Sequence, residues 1–473
     1  MARPFVGGAY SGRVWLVALF LVFAIVLGGG GSPNPTTELL LEVIFAISAA
    51  VWLWLPRGTA SDSQIDPLVI MLVAVPLVIP VVQLIPLPPG VWSALPARQD
   101  QADALALVGS QGSWRPISLS PARTFASLLA IVPAVACTYA VARLDLHERR
   151  LVLATIVLMV LATCVLGALQ LVAGARGLNL YSQFHVGWVT GFQANRNATA
   201  DILLIGLLAL IPLAAPYLDG TRQPLPLSFD RRAFSFLVGA LGLIIAVALV
   251  MTGSRAGIAL LVIPIGAALF AVTLSGKRSG LRRHLWLYIA AVAAAALFAV
   301  YLLAFSQHTA LGRVAFRFWS DGAERGDVWQ DAWFALKQYW PFGFGLGGFE
   351  SAILAFERLE AVNPALPNRA HNEYLEIGLE AGLLGYAMVA AAAAVSIALA
   401  WRAWRSAPGM RRQILFGAGV LIIISLHSVV DYPLRSMALA CLCGVAGGML
   451  ARKRAQPQQS NPSRRDEVTK GLG

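Results

Sequence analysis

His371 and Asn372 stand in the stretch AHNEYLEIGLEAG, Ala370 to Gly382, where a long polar loop meets an apolar run. Imidazole titrates near neutrality, so a histidine at such a junction suits the removal of a proton from an attacking hydroxyl. Arg255, in TGSRAG, and Arg325, in RGDVW, bring a second chemistry. The planar guanidinium fork binds phosphate oxygens in pairs and neutralises their charge as a leaving group departs. Arg325 also opens a helical pattern, and a helix N-terminus attracts anions through its free N–H groups and its dipole. Arg196 is a third cation, in GFQANRNATA, flanked by Asn195 and Asn197. These two amides and Asn372 can hydrogen-bond sugar or phosphate oxygens. Asp201 lies one helical turn beyond Asn197, and His427 and Asp431 are again one turn apart. Ionisable groups inside apolar segments are costly unless they face a polar cavity or a partner, which makes each a functional candidate. The structural alternatives are an arginine snorkelling from a span end and an asparagine capping a helix.

The elements that position these residues are membrane spans. Hydrophobic residues make up 58% of the chain and charged residues 13%, with a mean hydropathy of +0.70. A bilayer core about 30 Å thick needs roughly 20 apolar residues per helical span, and about twelve such runs are present. They fall near Val14–Gly30, Leu39–Leu55, Leu68–Leu87, Thr124–Ala142, Leu151–Ala173, Ala198–Ala214, Phe234–Met251, Ala256–Leu274, Leu285–Phe305, Tyr374–Ala400, Ile414–Val430 and Leu434–Leu450. The expected fold class is therefore all-α, a polytopic helical bundle. The first run resembles a signal peptide but lacks a small-x-small cleavage site, and it reads as retained.

Cytoplasmic loops carry an excess of Lys and Arg. Placing both termini inside puts the dense clusters Arg143/Arg149/Arg150, Arg222/Arg231/Arg232, Lys277/Arg278/Arg282/Arg283 and Arg402/Arg405/Arg411/Arg412 on that side, together with the basic tail. The net charge of +12 is thus mostly topological, and the scatter of cations over membrane-flanking loops argues against nucleic acid as a partner. Two substantial loops then face outward, Pro88–Arg123 and Ser306–Glu373. In the second, RGDVWQDAWFALKQYW repeats apolar residues at Val328, Trp329, Ala332, Trp333, Leu336 and Trp340, the spacing of an amphipathic helix lying at the headgroup level.

Other patterns point away from further chemistry. GFGLGGF, Gly343 to Phe349, satisfies G-x-G-x-x-G, yet no strand precedes it, and it reads as a flexible turn ending a helix. The outward loops show no D-x-D and no acidic or histidine cluster at ligand spacing; Asp321, Glu324 and Asp327 read as helix-start acids, with a divalent site as the alternative, and neither a metal nor a cofactor is expected. Cys137, Cys164, Cys441 and Cys443 lie inside apolar runs as packing residues.

In order and on one side, GFQANRNATA, SRAG, RGDVW with PFGFGLGGFE, AHNEYLEIGLEAGLLG and HSVVDYPLR resemble the O-antigen ligase and polymerase-like family of bacterial envelope proteins, over roughly residues 191–435. His371 and Gly382, ten residues between them, match the ligase-type H-x10-G pattern. The arginine motifs depart from it: some ligases show Leu four residues on, where Ala200 follows Arg196 and Ala259 follows Arg255. The resemblance implies a division into an N-terminal membrane region, 1–190, a catalytic region, 191–435, that includes the periplasmic loop 306–373, and a last span with a cytoplasmic tail, 436–473. It further implies transfer of a glycan from undecaprenyl diphosphate to an acceptor hydroxyl at the periplasmic face of the bacterial inner membrane. The acceptor is lipid A-core for a ligase and a growing glycan for a polymerase; protein O-glycosylation uses the same donor. On this reading His371 is the general base, Arg255 and Arg325 clamp the diphosphate, and Arg196, Asn195, Asn197 and Asn372 bind substrate. A secondary transporter predicts ionisable groups near the bilayer midplane and related halves, and a scaffold subunit predicts that His371 is replaceable.

Overall fold

The computed structural model describes residues 10–31, 35–56, 65–174, 178–181, 187–218, 231–274, 323–360 and 367–452. Eleven helical spans cross it, starting with α1 (Gly12–Leu27), α2 (Pro35–Trp54) and α3 (Pro67–Leu84). The loop after α3 holds two short helices, α4 (Pro89–Trp92) and α5 (Gln99–Leu107). It also holds a two-residue ladder in which β1 (Pro86–Leu87) pairs antiparallel with β2 (Arg115–Pro116), the one departure from an all-α chain among the described residues. Next come α6 (Pro121–Arg143), α7 (Glu148–Ala173), α8 (Arg196–Leu218), α9 (Arg231–Met251) and a span broken into α10 (Arg255–Leu260) and α11 (Val262–Thr273). Beyond the undescribed stretch lie α12 (Ala323–Tyr339), α13 (Phe349–Ile353), α14 (Glu373–Ser406), α15 (Arg411–His427) and α16 (Met437–Met449).

Nine of these helical segments are long and apolar enough to cross a bilayer, and α1 and α16 are shorter apolar helices. Eleven of the twelve expected spans therefore coincide with helices. The remaining one, Leu285–Phe305, lies outside the described residues, as do Ser306–Gly322 of the long loop. Span starts follow local capping chemistry. Asp66 accepts from Leu68 N ahead of Pro67, and Ser254 accepts from Gly257 N.

Burial separates the spans. The α8 window is 83% buried within the protein, whereas that of α2 is 6% buried. A helix apolar all round belongs inside, and α8 packs against α7, α9, α11 and α15 at the centre of the main core. α16 lies along α6, α15 and α1, so the last span shares one bundle with the first. At the basic end Arg149, 1% exposed, donates to the carbonyls of Ala142, Leu144 and Ala451, satisfying the ends of α6 and α16.

Two expectations need correction. The inner face of α12 is Ala332, Ala335, Leu336 and Tyr339, packed with Phe344, Phe349, Ile353, Ala370 and Leu379. Trp333 and Trp340 are 51% and 41% exposed on the other side, so the helix is docked on α14 as well as amphipathic. The glycine-rich turn is not loose. Gly343, Gly345 and Gly347 have positive φ, and a Cβ on Gly343 would sit 2.4 Å from the Glu380 carbonyl. Gly345 N donates to that carbonyl, and Leu346 N donates to Gln83, so the turn is clamped between α3 and α14.

Candidate active site

One end of the bundle gathers the starts of α8, α10 and α14, the ends of α9 and α15, and the segment 428–436 that leads into α16. Two histidine–carboxylate pairs bind these elements together. His371 Nδ1 lies 3.4 Å from Asp431 Oδ1, and Asp431 Oδ2 accepts from the Asn197 amide at 2.5 Å. One turn further along α8, at the last residue of α15, His427 Nδ1 and Asp201 Oδ1 are 2.6 Å apart. The pairs form two rungs between α8 and the end of α15, because Asn197 and Asp201 share a helix face and His427 and Asp431 are four residues apart. A small cavity of ≈ 20 Å³ is lined by Asn195, Asp201, Asp431, Tyr432 and Ser436 beside these rungs.

His371 is fixed from both sides. Its backbone is left-handed, with φ 49°, a conformation that costs about 1–2 kcal/mol for a residue with a Cβ. The neighbours hold it there. Ala370 O accepts from Trp329 Nε1 at 2.8 Å, Ala370 N donates to Glu376, and Asn372 caps α14 by accepting from Leu375 N at 3.0 Å. Eleven residues on, Gly382 interrupts the helix at φ 57°, where a Cβ would lie 2.0 Å from the Pro341 carbonyl. The glycine of the H-x10-G pattern is thus required by backbone geometry. The break frees the Glu380 carbonyl for Gly345 N and Gln83.

Three buried glutamates, Glu373, Glu376 and Glu380, occupy one face of the first two turns of α14. Arg435 reaches all three, at 3.6, 3.2 and 2.8 Å, and Arg369 joins Glu376 at 2.8 Å. For Asp431, burial opposes ionisation. The His371 contact, the nearby His427 and the Asn197 amide outweigh it and hold the carboxyl below the usual carboxylate range.

Arg196 of α8 and the backbone just ahead of α10 meet at one indole. The Trp188 ring lies 5.0 Å from the Arg196 guanidinium, and a Cβ on Gly253, two residues before Arg255, would be 2.3 Å from the same ring. A Cβ on Gly257 would come within 2.5 Å of Ala200. That close approach explains Ala200, where some ligases show Leu: a larger side chain would push α10 off α8. Asn195 accepts from Asn197 N, so its side-chain oxygen caps α8. Arg325 falls in the first turn of α12, four residues before Trp329; its side chain lies outside the described residues.

The fold thus brings His371, Asn372, Asn195, Arg196, Asn197 and Arg255 to one end of the bundle. It adds groups the sequence did not assign: Asp431 as partner of His371, Trp329 and Glu376 as holders of its loop, and Arg435. Three glutamates at positions i, i+3 and i+7 of an apolar helix were a readable sign of a buried counter-charge. The pairing of Asn197 with Asp431, separated by 234 residues, carried no sequence signal.

Together these features define a polytopic helical membrane protein with a histidine–carboxylate pair and an arginine-bearing polar end. A family model described as O-antigen ligase matches residues 240–390, which supports kinship with the O-antigen ligase-like family. The matched stretch holds Arg255, Arg325, His371 and Gly382, while Arg196, Asp201, His427, Asp431 and Arg435 come from flanking helices. No curated protein matches the chain.

Proposed function

We propose that this protein transfers a glycan from undecaprenyl diphosphate to an acceptor hydroxyl, with lipid A-core as acceptor, the reaction of an O-antigen ligase. The observation that carries the reading is the His371–Asp431 pair: the imidazole is 31% exposed, its carboxylate partner only 4%, and Arg196 and Arg255 lie at the same end of the bundle. Asp431 draws the proton of His371 to Nδ1 and leaves Nε2 as the base. As the acceptor oxygen attacks the anomeric carbon, Nε2 takes its proton and the bond from that carbon to the diphosphate oxygen breaks. The arginines, with Arg325 from α12, neutralise the departing diphosphate. Cationic side chains do the work that a divalent ion would otherwise do, and the reaction is read as metal-independent. The basic end faces the cytoplasm and the His371 end the periplasm, by the excess of Lys and Arg at the former.

Envelope glycans from a strain lacking the gene, run on a gel, test the reading. The expected result is loss of the lipopolysaccharide ladder with lipid-linked polymer accumulating. Single-repeat products would reassign it as a polymerase, and an unchanged profile would end the transferase reading. Purified protein given labelled undecaprenyl-diphosphate glycan and lipid A-core is expected to keep its activity in EDTA; loss restored by magnesium or manganese overturns the metal-independent mechanism. Ser351→Cys is expected to react with an impermeant maleimide in intact spheroplasts, and protection there reverses the orientation.

A further inference from the structure

Arg435 is the meeting point of the two strands of chain that carry the reactive pair. On one side it is four residues from Asp431, on the short segment 428–436 that also holds Leu434 N against Glu373. On the other it binds Glu373, Glu376 and Glu380 of α14 through Nε and Nη2. Glu376 in turn takes Ala370 N and the Arg369 guanidinium, the two residues immediately before His371. Glu373 N donates to Ser428 O at 2.8 Å, a second tie between the same two segments. A planar fork can hold three carboxylates in one geometry, which an ammonium of equal charge does not reproduce. Among the described residues no other side chain forms ion pairs with all three acids.

We propose that Arg435 is a positioning residue that sets the separation of His371 and Asp431, so that the base keeps its orienting carboxylate. The proposal rests on reading His371 as the base, but the geometric part stands apart from any activity. Arg435 is 13% exposed in its side chain and bonded on its inner edge to protein carboxylates, so it orients the pair and does not touch the diphosphate.

The test is run on the full chain in detergent, with His371→Cys and Asp431→Cys in a Cys443→Ser background; Cys137, Cys164 and Cys441 are buried. The yield of cross-link with the shortest bis-methanethiosulfonate reagent reports the separation without any substrate. Adding Arg435→Lys or Arg435→Met is expected to lose most of that yield. With His371 and Asp431 intact, the same two changes are expected to lower kcat by about tenfold or more while KM for the labelled undecaprenyl-diphosphate glycan stays within about twofold. Because Arg435→Met strands buried carboxylates, the companion variant Arg435→Met with Glu373→Gln, Glu376→Gln and Glu380→Gln removes the stranded charge. Full cross-linking in that folded companion, or an unchanged kcat in Arg435→Met, overturns the proposal. Loss of cross-link in a protein whose unaltered form shows no transfer supports the positioning role and counts against the transferase reading alone.

Discussion

The two histidine–carboxylate pairs use the same groups and sit one helical turn apart, yet they are built for opposite ends. His427 and Asp201 are each 1% exposed and close to 2.6 Å, a distance that requires a proton between nitrogen and oxygen. His371 and Asp431 are 3.4 Å apart, the imidazole is 31% exposed, and its backbone is held in a left-handed conformation. Burial and short contact make a fastener. Exposure, a longer contact and stored strain suit the base proposed for His371, whose geometry would tighten around a substrate. Residue type alone therefore does not separate a reactive histidine from a structural one; what surrounds each nitrogen does.

The sharpest way to break this comparison is to exchange the consequences of loss. His371→Gln is expected to cut transfer by about 10²–10⁴-fold, the share a general base supplies, with donor binding and melting temperature near those of the parent. His371→Gly removes the left-handed penalty and is expected to melt no lower than the parent while remaining inactive. A fully active His371→Gln protein, measured with labelled donor, refutes the base assignment. His427→Leu should do the reverse, stranding the Asp201 carboxylate at a cost of about 3–5 kcal/mol in stability. Adding Asp201→Leu is expected to recover much of that loss, and thermal melts of the two proteins decide it. If His427→Leu melts normally and loses only activity, the second pair is chemical after all.

A milder change sharpens the contrast through pH. The carboxyl of Asp431 is depressed in the folded protein, so its contribution to stability is fully present above the ordinary carboxylate range. That contribution is lost only as pH falls through the depressed value. A base must be unprotonated to accept a proton, so activity is expected to show an acidic limb as pH falls. Asp431→Asn is expected to displace that acidic limb, whereas a limb unmoved by Asp431→Asn, recorded as kcat/KM against pH, dissociates the pair. The smallest effect concerns the neighbour of the base. Asn372→Ser keeps the cap on α14 and is expected to be nearly silent, and Asn372→Ala to cost about 1 kcal/mol of stability. A large rise in donor KM for Asn372→Ser would instead make the amide a substrate ligand.

The sequence was most legible where chemistry is local. Apolar runs gave the spans, and His371 with Gly382 marked the loop-to-helix junction. It was least legible where contacts join distant segments. Periodicity placed Trp333 and Trp340 on an apolar face of α12 turned to the headgroups, but Ala335 and Tyr339 form the face that packs into the protein, because small and planar groups fit against α14 and the glycine-rich turn. GFGLGGF read as slack because glycines are permissive, whereas here their missing side chains admit Glu380, Ser118 and Ser127 at contact distance. Glu380 pairs with Arg435, 55 residues further along the chain.

The short helices α1 and α16 carry a mechanical consequence. They are 16 and 13 residues long, and at 1.5 Å per residue the shorter spans about 20 Å against a hydrocarbon layer of about 30 Å. Their ends meet beside the reactive pair, where Ala438 N and Ser436 Oγ both donate to Gly28 O. Lipid next to them must compress, or the polar end must sink below the plane of the headgroups. Lengthening the acyl chains of a reconstituted bilayer is therefore expected to load this corner of the protein first, and the proposed transfer to slow as the membrane thickens.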